Sequence, residues 1–362
     1  MVGSWQECER RPGSHPRFPV SSCLVNYRYR VYGLSLAAVE SVPGLEACEP
    51  VRPEPDVCLE LRSEPDWARE ARLLPAQQIH RLEAEPQTED PAFVVTSYGG
   101  DRFFGLSYTD GTEFMVDGEG RRVWGAWTEP WTKEDFTTYL LGPVMGFVLR
   151  RRGVTPLHAS CVCVAGNAVL LCGDAQAGKS TTVAALALRG MRVLCEDIAA
   201  LRWSQGRSWV EPGYPRICLW PDGVEKLMGR KDALPLLTPN WEKRYLPLDG
   251  VLAGFEAERC PVGAIYFLAP RVPEESAPRV EPMTPKEALL ELVQNTYMNW
   301  LLDRQQRAAE FYELTHLVEQ TPVRRAVPHR DPRRIGALCE AIVTDAESLA
   351  SPARAASQPN RY

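Results

Sequence analysis

The segment Gly173-Asp174-Ala175-Gln176-Ala177-Gly178-Lys179-Ser180, followed by Thr181, has the residue types and spacing best suited to chemistry. It satisfies the pattern G-x-x-x-x-G-K-S. In that pattern successive backbone N–H groups curl around a phosphate, and the N-terminus of the following helix adds its dipole. Lys179 then reaches the terminal phosphate oxygens, and Ser180 offers a hydroxyl to Mg²⁺. Gln176 stands where such loops often carry a further glycine, so it needs unusual backbone angles or turns its amide toward a ligand. The blander reading is a glycine-tolerant strand-to-helix turn with an exposed lysine. The context argues for the phosphate loop: apolar Ala168–Cys172 precedes it, an Ala- and Leu-rich helix over Lys179–Arg189 follows, and Gly190 stops that helix.

Glu196 and Asp197 end the next apolar strand, Met191–Cys195. An acid at a strand end beside a phosphate loop commonly holds Mg²⁺ or its water. Adjacent side chains on an extended strand point to opposite faces, so one acid faces a metal and the other something else, unless the backbone turns there. The alternative is a pair of ordinary strand-end acids. His158 opens the strand before the loop; on spacing alone, a packed or surface-bonded histidine is favoured. Arg216 follows the PGYP turn, and Lys243 and Arg244 lie in a polar loop. Each is either a solvated surface cation or a clamp for phosphate or an acidic acceptor. The guanidinium forks of Arg216 and Arg244 suit phosphate oxygens better than an ammonium does.

The elements that must position these residues alternate strand, loop, helix and strand, the order of an α/β core. Before them, residues 1–125 read as β-rich. Cys23–Val39 suggests a strand and a turn at Gly33, with further strands at Val57–Leu61 and near Ile79–Leu82. Over 93–124, Gly99-Gly100, Asp110-Gly111 and Asp117-Gly118 punctuate antiparallel strands. A helix is expected over 134–151, kinked or interrupted at Pro143. Leu157–Val164 reads as one strand, Asp222–Leu227 as a helix start, 238–250 as a loop, Val262–Leu268 as a strand and 270–285 as a connector. Thr284-Pro285-Lys286-Glu287 opens a helix with a capping box, and another helix covers about 303–319. The expected organisation is a β-rich region over 1–125, a nucleotide-binding core over 126–283, a helical segment over 284–341 and a frayed polar tail over 342–362.

The chain has 362 residues, 44% apolar and 24% charged, with a formal charge of −6. That composition is globular and excludes collagen, wholesale disorder and coiled coil. The acidic balance argues against general nucleic-acid binding, since phosphate-neutralising surfaces are basic. The basic stretch over 321–334 lacks aromatic interleaving and reads as a solvated linker, or as a contact for an acidic peptide. No apolar run reaches the roughly 18 residues of a membrane span, and the first residues lack the apolar centre of a signal peptide, so no membrane association is expected and the expected location is cytoplasmic. The 11 cysteines form no CxxC, and several sit in apolar runs, where thiols pack as small hydrophobes.

Leu157-His158-Ala159-Ser160, GDAQAGKS and RGMRVLCEDIAAL resemble the catalytic domain of the HPr serine kinase/phosphorylase superfamily. YRYRVYGLSL and PGYPRICLWPDGVEKL are similar to the HPr-kinase-like proteins of lasso-peptide and other peptide-modification gene clusters. The resemblance spans roughly 25–300. It implies a mixed-sheet α/β fold: a P-loop core like that of HPr kinase and phosphoenolpyruvate carboxykinase, with a β-rich N-terminal region and C-terminal helices. It implies ATP and Mg²⁺ as cofactors and places His158, Lys179 and Asp197 in catalysis, Gly173–Thr181 on the nucleotide, and Ser180, Glu196 and Asp197 near the metal. Asp197 takes the base role, with Glu196 as metal or orientation helper. The later glycine-rich signature of bifunctional members is not recognisable, so the resemblance does not extend to phosphorylase activity. The expected reaction is phosphoryl transfer from ATP to a Ser or Thr hydroxyl of a peptide or small-protein acceptor, with a homo-oligomer left open. A small-molecule kinase on the same core and a non-catalytic nucleotide-gated scaffold are the alternatives.

Overall fold

The computed structural model describes residues 26–49, 54–83 and 92–350. Cys8, Cys23, the start of the first expected strand and residues 351–362 lie outside the described residues.

The N-terminal strands pair as their alternation demands. An eight-stranded sheet has the order β1-β2-β3-β8-β7-β6-β5-β4. Its strands are β1 (Tyr27–Val31), β2 (Leu34–Ala38), β3 (Val57–Leu61), β4 (Ala76–Leu82), β5 (Phe93–Tyr98), β6 (Phe103–Tyr108), β7 (Glu113–Asp117) and β8 (Arg122–Ala126). β3 is parallel to both β2 and β8, and the other pairs are antiparallel. Helix α1 (Asp66–Arg72) links β3 to β4. Phe93 and Val95 point inward from β5 while Val94 and Thr96 are half-buried, the period-2 signature of a one-faced sheet.

The sheet's inner face is covered by α2 (Lys133–Tyr139), a π-helical turn (Leu140–Val144) and α3 (Met145–Arg151). Pro143 lies in that π turn, where its missing N–H and its ring are accommodated by the wider winding. Residues 133–151 therefore share their core with the N-terminal sheet. Ile198, Ala200 and Tyr214, from the following region, complete the same core.

The second sheet runs β12-β10-β11-β17-β14-β13-β9, and β19 extends it beside β17 and β18. Its members are β9 (Thr155–His158), β10 (Ser160–Val164), β11 (Asn167–Cys172), β12 (Arg192–Cys195), β13 (Ile198–Ser204), β14 (Arg207–Glu211), β17 (Cys260–Leu268), β18 (Arg279–Pro282) and β19 (Val323–Val327). A separate ribbon pairs β15 (Arg216–Leu219) with β16 (Arg244–Pro247). In β11, Val169 and Leu171 enter one core, and Ala168, Leu170 and Cys172 enter the other. This strand is buried on both faces, which is why it reads as an unbroken apolar run. Helices α4 (Lys179–Ala187), α5 (Pro221–Met228) and α8 (Ile335–Ala350) cover the first face; α6 (Pro285–Gln294) and α7 (Arg304–Gln320) cover the second.

Four expectations need correction. The segment 157–164 is not one strand: it breaks at Ala159, with β9 pairing β13 and β10 pairing β11 and β12. The polar stretches 238–250 and 270–285 each contain a strand, β16 and β18. The basic stretch at 321–334 is no solvated linker, because β19 sits between β17 and β18. The polar tail does not begin at 342, because α8 buries Ile342 and Ala346 and runs to Ala350. Among the described residues, no helix is long and apolar enough to cross a membrane.

Candidate functional site

The break at Ala159 has a partner on the neighbouring strand. β12 ends at Cys195, β13 begins at Ile198, and between them Asp197 adopts a left-handed φ of 67°. The ladder thus pairs His158 with Ile198 on one side of the break and Cys161 with Cys195 on the other. Glu196 and Asp197 occupy the kink. A left-handed aspartate is tolerated because its short polar side chain can bond locally. The turn frees the two carboxylates from strict alternation, and each finds its own partner.

Ser180 Oγ donates to Glu196 Oε1 at 2.7 Å. His158 Nδ1 lies 3.2 Å from Asp197 Oδ1 and 3.2 Å from the Asp197 carbonyl. Glu196 is buried, whereas Asp197 is 37% exposed at its side chain. Their acidities diverge accordingly. Burial, then the charge of Asp197, pushes the Glu196 carboxyl up to about 7, against the Ser180 hydrogen bond and Lys243. Burial also pushes Asp197 upward, but the hydrogen bond and charge of His158, with Lys243 and Lys179, outweigh it and hold this carboxyl below its usual range.

The loop runs from buried Gly173 over an exposed crest at Asp174, Ala175 and Gln176 into α4. Gly173, Gln176 and Gly178 have φ of 139°, 64° and 105°. Gln176 therefore takes the unusual backbone angle its position required. A Cβ on Gly173 would meet the Leu268 carbonyl at 3.1 Å, so the loop also lies tight against the end of β17. Lys179 is buried and donates to the carbonyls of Gly173 at 2.7 Å and Asp174 at 3.0 Å. Burial lowers its pKa, against the acids Asp197, Glu196 and Asp174 and the Cys172 thiol. Thr181 packs beside Gly223 at the start of α5.

His158, Lys179, Ser180, Glu196 and Asp197 are thus brought together at one end of the second sheet. Lys243 adds a positive field to both acids while its ammonium sits 5.1 Å from the Trp220 ring centroid. Arg244 is turned to other work, donating from Nη1 to the Leu234 carbonyl at 2.6 Å. Arg216 is buried against the Tyr214 ring. In the basic stretch, Arg324 pairs with Asp345, Arg333 with Asp331 and Arg334 with Glu275.

Two contributors escaped the sequence. Asn295, just past α6, accepts from Gly173 N with its side chain at 3.3 Å and from His158 N with its carbonyl at 2.7 Å. It ties the first loop residue to the histidine strand. Tyr297 follows, its ring centroid 6.2 Å from that of His158, its amide bonded to the Pro156 carbonyl and its own carbonyl taking Arg150 Nε. The only local signal was an asparagine near a helix C-terminus, which marks an end and no site.

Among the described residues, no group of three or more His, Cys, Asp and Glu is arranged to hold a metal alone. Ser180 with Glu196 offers two adjacent hard oxygens, a set that fits Mg²⁺, whose remaining positions go to water and substrate phosphate. A cavity of about 270 Å³ beside α6, α7 and β19 shares no lining residue with the loop. Of the described cysteines, Cys58, Cys161, Cys172, Cys195, Cys260 and Cys339 are buried and all are free thiols.

No family model matches the chain, and no curated protein matches it. Among solved structures, the chain is similar to the Hpr(Ser) kinase/phosphatase from Coxiella burnetii. The identity is 15%, the match covers 53% of this chain and 90% of that one, and the TM-score is 0.30.

Proposed function

We propose that the chain is an ATP- and Mg²⁺-dependent phosphotransferase acting on a Ser or Thr hydroxyl of a peptide or small protein. One observation carries the phosphotransfer reading: a G-x-x-x-x-G-K-S loop with left-handed backbone at Gly173, Gln176 and Gly178 delivers Lys179 and Ser180 to an acid pair held at a strand kink. In this reading the backbone of Gly173–Thr181 cradles the phosphates, and Lys179 leaves its two carbonyl partners for the terminal phosphate oxygens. Ser180 and Glu196 would hold Mg²⁺, which would neutralise the charge spreading over the transferred group.

His158 orients Asp197, whose ionised oxygen takes the proton from the acceptor hydroxyl. The acceptor oxygen forms its bond to the γ-phosphorus as the bond to the β,γ-bridging oxygen breaks, and ADP leaves with that electron pair. The peptide acceptor rests on the size of the region outside the nucleotide core, the eight-stranded sheet above all.

Calorimetric titration with Mg-ATP and with the non-hydrolysable Mg–AMP-PNP, on the natural chain and on Lys179→Ala, tests the donor half. Saturable binding that collapses in Lys179→Ala is expected; equal affinity in both overturns the site. Mass spectrometry of candidate acceptor peptides and small metabolites after incubation with Mg-ATP tests the acceptor half, where a peptide gain of one phosphoryl group is expected.

A further inference from the structure

We infer that Arg216 is a built oxyanion site, taking a carboxylate or phosphate group of the ligand that enters beside the acid pair. The inference that this anion belongs to the acceptor rests on the phosphotransferase reading; the anion site itself does not.

A guanidinium removed from water needs a counter-charge or a full set of acceptors. Arg150, as secluded as Arg216, meets that need with the Glu310 carboxylate and the Tyr297 carbonyl, although its Nη2 finds no partner. Arg216 is 8% exposed, and among the described residues it makes no ion pair. Its Nε is buried without a hydrogen-bond partner. Its close companions are the face of Tyr214, 5.3 Å from the guanidinium carbon to the ring centroid, and the backbone of Gly44, neither of which carries a charge. A ring face attracts a cation but accepts none of its five N–H bonds in the manner of a carboxylate.

The backbone beside this guanidinium admits only a glycine. Gly44 is an exposed residue with φ of 83°, and a Cβ there would strike Nη1 of Arg216. The position also belongs to the same neighbourhood as the acids. Tyr214 and Cys218 each feel the charges of Arg216, Glu196 and Asp197, and Cys218 feels that of Lys243 as well. A cation two residues from Cys218, whose backbone hydrogen-bonds Glu196, and itself paired with neither acid, is arranged to receive an anion that arrives with a ligand. The planar fork binds either carboxylate or phosphate oxygens in bidentate fashion.

The test uses the full chain saturated with Mg–AMP-PNP, so that the Lys179 loop is already occupied. Thermal unfolding is followed against inorganic phosphate and, separately, acetate, with ionic strength matched by sodium chloride. A saturable rise in Tm is expected for the natural chain, because an anion bound only by the folded form stabilises it. In Arg216→Gln the apparent affinity should fall about tenfold or more, with Arg216→Lys between the two. A response to acetate alone assigns a carboxylate ligand, one to phosphate alone a phosphoryl ligand, and either supports the site. Should the buried substitutions prevent folding, Gly44→Ala keeps Arg216 and crowds it from an exposed loop, and the same loss of response is expected. No saturable response in the natural chain, or an equal one in the folded variants, overturns the inference. If Mg–AMP-PNP shows no Lys179-dependent binding, the phosphotransferase reading fails separately, and the Arg216 response is then read in Lys179→Ala.

Discussion

The two sheets of this chain solve opposite problems. In the N-terminal sheet the central strands β5 to β8 pair in unbroken antiparallel register through Phe93↔Tyr108, Phe103↔Asp117 and Met115↔Trp124, and the one shift in pairing falls at its β4 edge, between Gln78 and His80. In the second sheet the ladder is interrupted opposite itself, at Ala159 on one strand and at Glu196-Asp197 on the other. Regular pairing joins the backbone groups of the central strands to one another. The interruption leaves two carboxylates side by side, each with its own partner: Glu196 takes the Ser180 hydroxyl and Asp197 faces His158. Candidate chemistry lies where the pairing stops, and the regular sheet supplies a surface against which the interruption is held.

Substitutions at the kink should break that contrast hardest. Asp197→Asn keeps the local polar group that a left-handed residue favours, so the fold should survive. Phosphoryl transfer should nonetheless fall by about 10²-fold or more, the usual loss when a general base is removed. Steady-state rates with an identified acceptor check this, and a rate within a few-fold of the natural chain removes Asp197 from the chemistry.

A second test concerns the sign of a pH effect. The carboxyl of Glu196 is raised to about 7 in the folded chain, above its usual value of 4.5. Its contribution to stability is therefore fully present below the unfolded value and is lost as pH rises through about 7. Denaturant unfolding at pH 5 and pH 8, without Mg²⁺, should show Glu196→Gln losing less stability over that interval than the natural chain. The difference should be on the order of 2 kcal/mol. Parallel curves would mean that Glu196 is ionised throughout.

The regular sheet offers the complementary case. A Cβ on Gly125 in β8 would meet Phe136 at 2.5 Å and Phe114 at 2.8 Å. Gly125→Ala should cost about 1–3 kcal/mol by overpacking. Mg-ATP affinity measured below the unfolding transition should stay unchanged. The smallest effect is expected at Cys48, an exposed free thiol: Cys48→Ser should shift unfolding by no more than about 0.5 kcal/mol.

Much of the site was legible because its signals are local. A glycine at each end of the loop, a lysine and a serine next to a helix start, and acids ending an apolar strand are all readable in a window of a few residues. The alternation in β11 and β17 was legible as apolar runs, although which core each residue enters was not. What escaped depends on distant pairing. The break at Ala159 exists because β9 and β10 have different neighbours, and nothing between Leu157 and Val164 announces it. β19 is basic in sequence, yet it lies between two strands, with Val323, Ala326 and Val327 buried and Arg324 paired with Asp345. Asn295 matters only because the chain returns to Gly173 and His158 after more than a hundred residues.

The hairpin between β1 and β2 gives the chain a constraint in time as well as in space. Tyr32 at its tip is fully buried; its hydroxyl donates to the Leu141 carbonyl, and its amide bonds the Pro212 carbonyl. The ring meets Tyr214 edge-on, 6.2 Å between centroids. During synthesis the ribosome releases this hairpin long before residues 198–214, which complete its core, have been made. The N-terminal sheet must wait, with Tyr32 and its neighbours uncovered, for the kinked strands to arrive. A chain arrested before Tyr214 should therefore bind chaperones or aggregate, and release past that point should restore solubility.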